Sequence, residues 1–204
     1  WGDSSTDTIT AYDQAEITHE YSSTGTYTVK LEGTIRGFRF NNGGDKLKIL
    51  NISNWGDFNF TQKDVFKGCT NLTGDATDVP AINIAHWNFM FQSCTNWNGA
   101  MNDWDMSGVT LINWMFFGCS SFNQPIGGWD ISSVTDISYM MYGCTAFDQD
   151  LSDWDVTAII SAAKMDQFMR NSTLSTANYD ALLIGWEGQS VADDLSPHFG
   201  SSKY

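Results

Sequence analysis

Between Lys67 and Lys164 the chain has no Lys or Arg at all, while ten Asp fall in the same stretch. Over the 204 residues, 24 acidic side chains face 10 basic ones, and 20 of the acids are Asp. Such a surface repels nucleic acid and anionic membranes and attracts cations. No apolar run is long enough to cross a membrane, and no starting Met or signal peptide is present. The abrupt opening at Trp1 suggests a piece of something larger. The signatures of common chemistry are missing too. His19, His86 and His198 have no metal-ligand spacing, and no nucleophile elbow, phosphate-binding glycine loop, His-Glu-x-x-His or Cys-x-x-Cys occurs.

What is present is a period. Cys69, Cys94, Cys119 and Cys144 lie 25 residues apart. Counting each Cys as position 0, Leu72, Trp97, Phe122 and Phe147 share position +3, and Ala76, Met101, Ile126 and Leu151 share +7. Position +10 holds Val79, Trp104, Trp129 and Trp154; +12 holds Ala81, Met106, Ile131 and Val156; +15 holds Ile84, Val109, Val134 and Ile159. Positions +18 and +21 pair Trp87 with Met90, Ile112 with Met115, Ile137 with Met140 and Ala162 with Met165. A segment of this length orders backbone at roughly 1–2 kcal/mol per residue, more than its own few apolar side chains repay. Three or more stacked copies are therefore needed before a shared core is stable.

Within a unit the pattern changes. Phe122–Ser132 spaces its apolar residues widely among Gly, Asn and Pro, which suits short strands and turns. Val134–Cys144 places apolar residues at i, i+3, i+4 and i+7, which suits one or two helical turns. The expected fold is α/β: a leucine-rich-repeat-like solenoid of 25-residue rungs, each a short parallel β-strand plus a short helical or 3-10 turn. Residues 1–44 are expected as a β-rich N-terminal cap, 45–169 as about five repeats, and 170–204 as a C-terminal capping helix and tail. In the first, degenerate rung Leu47, Trp55, Val65 and Phe66 hold the apolar columns, and Tyr27–Leu31 alternates as a strand. After Cys144 the next position 0 is Met169. Leu174–Gly188 then reads as a helix capped by Ser175 or Thr176, with Tyr179, Leu182, Leu183 and Trp186 on one face.

Equivalent Cys on adjacent rungs point the same way about 4.8 Å apart, beyond the roughly 3.5–4.5 Å between Cβ atoms that a disulfide prefers, so bonding along the ladder would be strained. The four thiols are expected free and buried.

The run Gly118–Thr135, "GCxxFNQxIxxWDxSxVT", resembles the BspA-type leucine-rich-repeat surface proteins, a family also abundant among mycoplasma lipoproteins. The likeness covers about Leu47–Gly188, closing helix included. Trp1–Asp3 and Ile17–Leu31 are similar to parts of a polycystic-kidney-disease type β-sandwich module. The first resemblance implies an extracellular location on a bacterial surface and adhesion or partner binding, with no catalytic residues to carry over. Asp75–Asn83 departs from it by lacking the Trp-Asp pair.

Two sets of residues are candidate sites. Asp105, Asp130 and Asp155 follow each repeat Trp, with Asp103 and Asp153 two residues earlier. They suit backbone-accepting turns. Stacked at this spacing they could also share Ca²⁺, although the nonapeptide calcium repeat is absent. The second set is aromatic. If +18, +21, +22 and +25 face the core, +20 and +23 face solvent, placing Phe89, Trp114, Tyr139, Phe117 and Tyr142 in an exposed stripe. Trp and Tyr are enriched at binding hot spots. The chain therefore reads as a non-enzymatic extracellular binding or adhesion module, calcium-dependent if the Asp column holds a cation, for a protein or glycan partner. Homodimerisation through the same stripe and a carbohydrate-active enzyme using Asp pairs are the rival readings.

Overall fold

Regular secondary structure is sparse in the computed structural model, which describes residues 1–11, 14–15, 18–32 and 38–189. Among the described residues there are two two-residue strands, β1 (Asn51–Ile52) and β2 (Thr73–Gly74), a 3-10 turn (Ala162–Lys164) and one α-helix, α1 (Thr176–Glu187). The rest is turns and irregular chain with isolated parallel bridges, such as His86 to Leu111 and Leu111 to Asp136. The expected α/β solenoid, with a strand and a helical turn in every rung, is therefore corrected: apart from the parallel β1–β2 pair and the 3-10 turn, those elements do not recur among the described residues. Tyr27–Leu31 is not a strand either. The chain divides into two units, Trp1–Ile35 and Arg36–Tyr204.

In the first unit an aromatic stack does the packing. Trp1 lies flat on His19 at 4.8 Å, His19 meets the edge of Tyr21 at 4.5 Å, and Tyr21 stacks on Tyr27 at 3.9 Å. Asp3 accepts from Ser5 and pairs with His19, which holds its carboxyl well below the usual carboxylate range. Gly2, at φ +89°, lets the Thr28 backbone approach to where a Cβ would sit.

In the second unit the hydrogen bonds show why the stretches 87–94, 112–119 and 137–144 are neither helix nor strand. The N–H groups of Met90, Gln92 and Cys94 bond three residues back, to Trp87, Phe89 and Phe91. Those of Trp87, Phe89, Phe91 and Ser93 instead bond forward, to Leu111, Asn113, Met115 and Phe117 of the next 25-residue segment. An α-helix sends every N–H to i−4, and a strand sends none to its own turn. Here alternate groups do each. The same alternation runs from Ile112 to Cys119 and from Ile137 to Cys144.

Two left-handed residues per segment make this possible. One column holds Asp64, Phe89, Trp114, Tyr139 and Gln167, at φ between 54° and 63°. The other, four residues on, holds Asn42, Gly68, Ser93, Gly118, Gly143 and Asn171, at φ between 61° and 81°. An L-residue in this region costs about 1–2 kcal/mol. Glycine removes that cost at three positions, and the inter-segment hydrogen bonds, each about 0.5–1.5 kcal/mol net, offset it elsewhere.

Side-chain placement follows the period even though the elements do not. Trp87, Met90, Phe91 and Cys94 are buried, as are Ile112, Met115, Phe116 and Cys119, and Ile137, Met140, Met141 and Cys144. The first segments are less regular: Trp55, Val65 and Phe66 are buried, but Leu47 is 51% exposed, and Val79 48%. Ala81 is exposed and Ile84 only partly covered. The wide-spaced part of each segment is tied by a polar ladder. The Asn98 Oδ1 accepts from the Asn123 N–H at 2.8 Å, and that of Asn123 from the Asp148 N–H at 2.9 Å.

Helix α1 terminates these registers at the C-terminal end. Ser175 is its N-cap, accepting from the Asn178 N–H. The Ser175 N–H and the Asn178 amide both donate to Asp148, closing the polar ladder. Trp186 donates to the Leu151 carbonyl at 3.1 Å, the bond Trp154 makes to Ile126 and Trp129 to Met101. Leu182 and Trp186 are buried, with Tyr179 and Leu183 packed against the core. Past Gln189 the expected tail lies outside the described residues, as do Ile17 and residues 33–37 of the N-terminal segment.

Candidate aromatic binding face

The left-handed backbone at Phe89, Trp114 and Tyr139 turns these side chains away from the core on which their neighbours close. Successive segments then bring them into register. Trp114 stacks on Tyr139 with ring centroids 4.3 Å apart and planes 16° apart, and Phe89 lies 6.0 Å from Trp114. Beside this column runs a second one, in which Phe117 stacks on Tyr142 at 4.7 Å. Trp114 joins the two columns, with Phe117 at 4.6 Å, and Tyr139 lies 6.1 Å from Tyr142. All five expected aromatics are thus brought together.

Their exposure is corrected, however. Each is half-buried rather than fully exposed, in keeping with the face-to-face stacking of Trp114 on Tyr139 and of Phe117 on Tyr142. One end is closed by Lys67, whose ammonium sits 5.0 Å from the Phe89 ring centre. At the other the Tyr139 hydroxyl donates to Asp166 at 3.2 Å. Partial burial and the nearby Asp166 carboxylate push the Tyr139 phenol above its ordinary value.

The Asp column takes a different form. The Asp105 Oδ1 accepts from the Ser107 N–H at 3.1 Å and from its hydroxyl at 2.7 Å. Asp130 does the same with Ser132, and Asp155 with Thr157. These bonds hold the three carboxyls below the ordinary carboxylate value. Asp103 and Asp153 are exposed. Among the described residues no group of three or more His, Cys, Asp or Glu side chains converges in a way that could hold a metal ion.

Two features went unread in the sequence. Asp78, in the segment without a Trp-Asp pair, accepts from the backbone N–H groups of Trp55 and Gly56 and from the Asn54 amide. It serves the segment before it, which is why no local motif announces it. The irregularity of the same segment leaves a shallow depression of about 360 Å³ lined by Thr61, Gln62, Lys63, Ile84, Ala85 and His86.

The family described as "Mycoplasma protein of unknown function, DUF285" matches residues 60–181. This covers the segments that carry both aromatic columns and the first half of α1, but not the N-terminal segment with the likeness to a polycystic-kidney-disease type module. No curated protein and no solved structure matches the chain.

Proposed function

As the chain belongs to the DUF285 family, which supports a surface-associated bacterial protein, we propose that it is a non-enzymatic binding module that holds a protein partner on the paired aromatic columns. The observation that carries this reading is Trp114, half-buried and in contact with Phe89, Tyr139 and Phe117 at once. Rigid aromatic clusters of this kind dominate binding energy at interfaces. A protein is favoured over a glycan because the ring faces already cover each other. Sugars stack on open faces, whereas edges and the Tyr142 hydroxyl suit side chains and backbone. Of the paired carboxylates that an enzyme would use as acid and base, Asp105 and Asp155 are engaged in turns with Ser107 and Thr157.

Peptide and glycan arrays probed with the native chain and with Trp114→Ala test the proposal. Peptide features that the variant fails to bind support it, provided circular dichroism shows the variant folded. Binding confined to glycans, or equal binding by both proteins, contradicts it. Light scattering on both proteins separates a monomeric binder from a homodimer built on the same face.

A further inference from the structure

In a chain with a net charge of −14, two cations stand at the ends of the aromatic face. Phe117 and Tyr142 belong to a column that begins with Lys67 and Gln92 and ends with Arg170, at equivalent positions of successive segments. Among the described residues Lys67 and Arg170 form no salt bridge. Arg39, Lys48 and Lys164 do, with Asp64, Asp45 and Asp136. Lys67 rests over Phe89, and the Arg170 guanidinium donates to the Gln167 side chain at 2.7 Å. The face's own acids are occupied. Asp64 is buried with Arg39, Asp136 is buried with Lys164 and Ser138, and Asp166 accepts from Tyr139 and Gln167.

Resting on the protein-partner reading above, we propose that this face takes an extended acidic peptide segment lying along the columns, one carboxylate on Lys67 and another on Arg170. Lys67 and Arg170 stand four segment steps apart, about 19 Å at the usual inter-strand spacing of about 4.8 Å. An extended chain covers that distance in about six residues at roughly 3.3 Å each. The partner segment thus carries two Asp or Glu about six positions apart, with apolar residues between them for the edges of Trp114, Phe117 and Tyr142. Acidic exposed turns at Asp105, Asp130 and Asp155 disfavour the rest of this surface for the same ligand, which gives the face its selectivity.

Two labelled peptides of identical composition provide the test, one with its glutamates about six positions apart and one with them about three apart. Fluorescence anisotropy is read on the native chain, on the Lys67→Gln/Arg170→Gln double variant and on Trp114→Ala, with folding checked by circular dichroism. The wide-spaced peptide is expected to bind at least about tenfold more tightly than the close-spaced one, a preference that weakens with salt. The double variant should lose it. Equal affinity for the two peptides, or a preference that survives the double variant, overturns the inference. So does failure of both peptides to bind, and the binding-module reading then still stands if Trp114→Ala abolishes hits on the peptide array.

Discussion

The Ser172 hydroxyl donates to the Met141 carbonyl at 2.7 Å. Cys94, Cys119 and Cys144 make the same bond through their thiols, to the carbonyls of Phe66, Phe91 and Phe116. Ser172 is therefore the next member of the column, 28 residues after Cys144, and Met169 does not take that place. The three additional residues precede Met165 in the stretch that holds the 3-10 turn Ala162–Lys164, where Ile160 is 80% exposed.

A donor at position 172 is thus expected to matter more than its identity. Ser172→Ala should cost about 0.5–1.5 kcal/mol by urea unfolding, the usual worth of one such bond. Ser172→Cys should restore most of the loss. Equal stability of the Ala variant would mean that the column ends at Cys144.

All four cysteines are free and buried. Burial pushes the Cys69 thiol up to about 12 and holds the other three well above their ordinary value. The folded values lie above the unfolded one, so the contribution of these thiols to stability is complete below about pH 8.5. It is lost as pH rises through that value and beyond, because the unfolded chain then releases protons that the folded chain keeps. Alkylation at neutral pH should accordingly label no thiol in the native chain and four after denaturation. Rapid native labelling of Cys119 would contradict its burial.

Asp105, Asp130 and Asp155 have folded values below the unfolded one, so their contribution is present above about pH 4 and lost as pH falls through their folded values. Removing them together should flatten the acid limb of the stability curve. Within this column Asp130→Ala should cost about 0.5–1.5 kcal/mol by loss of the turn bonds, whereas Asp130→Asn keeps an Oδ1 acceptor and should cost less. Asn as damaging as Ala, with a melting temperature that rises on adding calcium, would mean that the carboxylate charge serves a cation and not the turn.

Much of the inside-outside pattern was legible in the sequence because the i, i+3, i+4, i+7 spacing of Ile137, Met140, Met141 and Cys144 places them on one side of a helix and of this double turn alike. The secondary structure was not legible for the same reason. Phe89, Trp114 and Tyr139 are ordinary strand or helix residues by propensity, and nothing in their type announces a positive φ. Gly118 and Gly143, four residues on, were the available signal. The aromatic site was found by phase, yet its stacking was not, since half-burial depends on how segments align. Asp-x-Ser and Asp-x-Thr, by contrast, carry their turn chemistry within three residues, and the structure places it there. Leu47 and Val79 fell outside the pattern because the segments that hold them are the irregular ones.

The left-handed turn pair sets both the inter-segment hydrogen bonds and the outward placement of Trp114 beside Phe117, and Gly118→Ala tests it most directly. Gly118 has φ +74°, and an added Cβ would meet only ordinary contacts with Ser93, so the backbone conformation alone decides the effect. In this turn the substitution should destabilise the chain by about 1–2 kcal/mol in equilibrium urea unfolding. In a helix, Ala in place of Gly would stabilise by up to about 1 kcal/mol. A gain in stability for Gly118→Ala would contradict the turn, and with it the aromatic face that the turn creates.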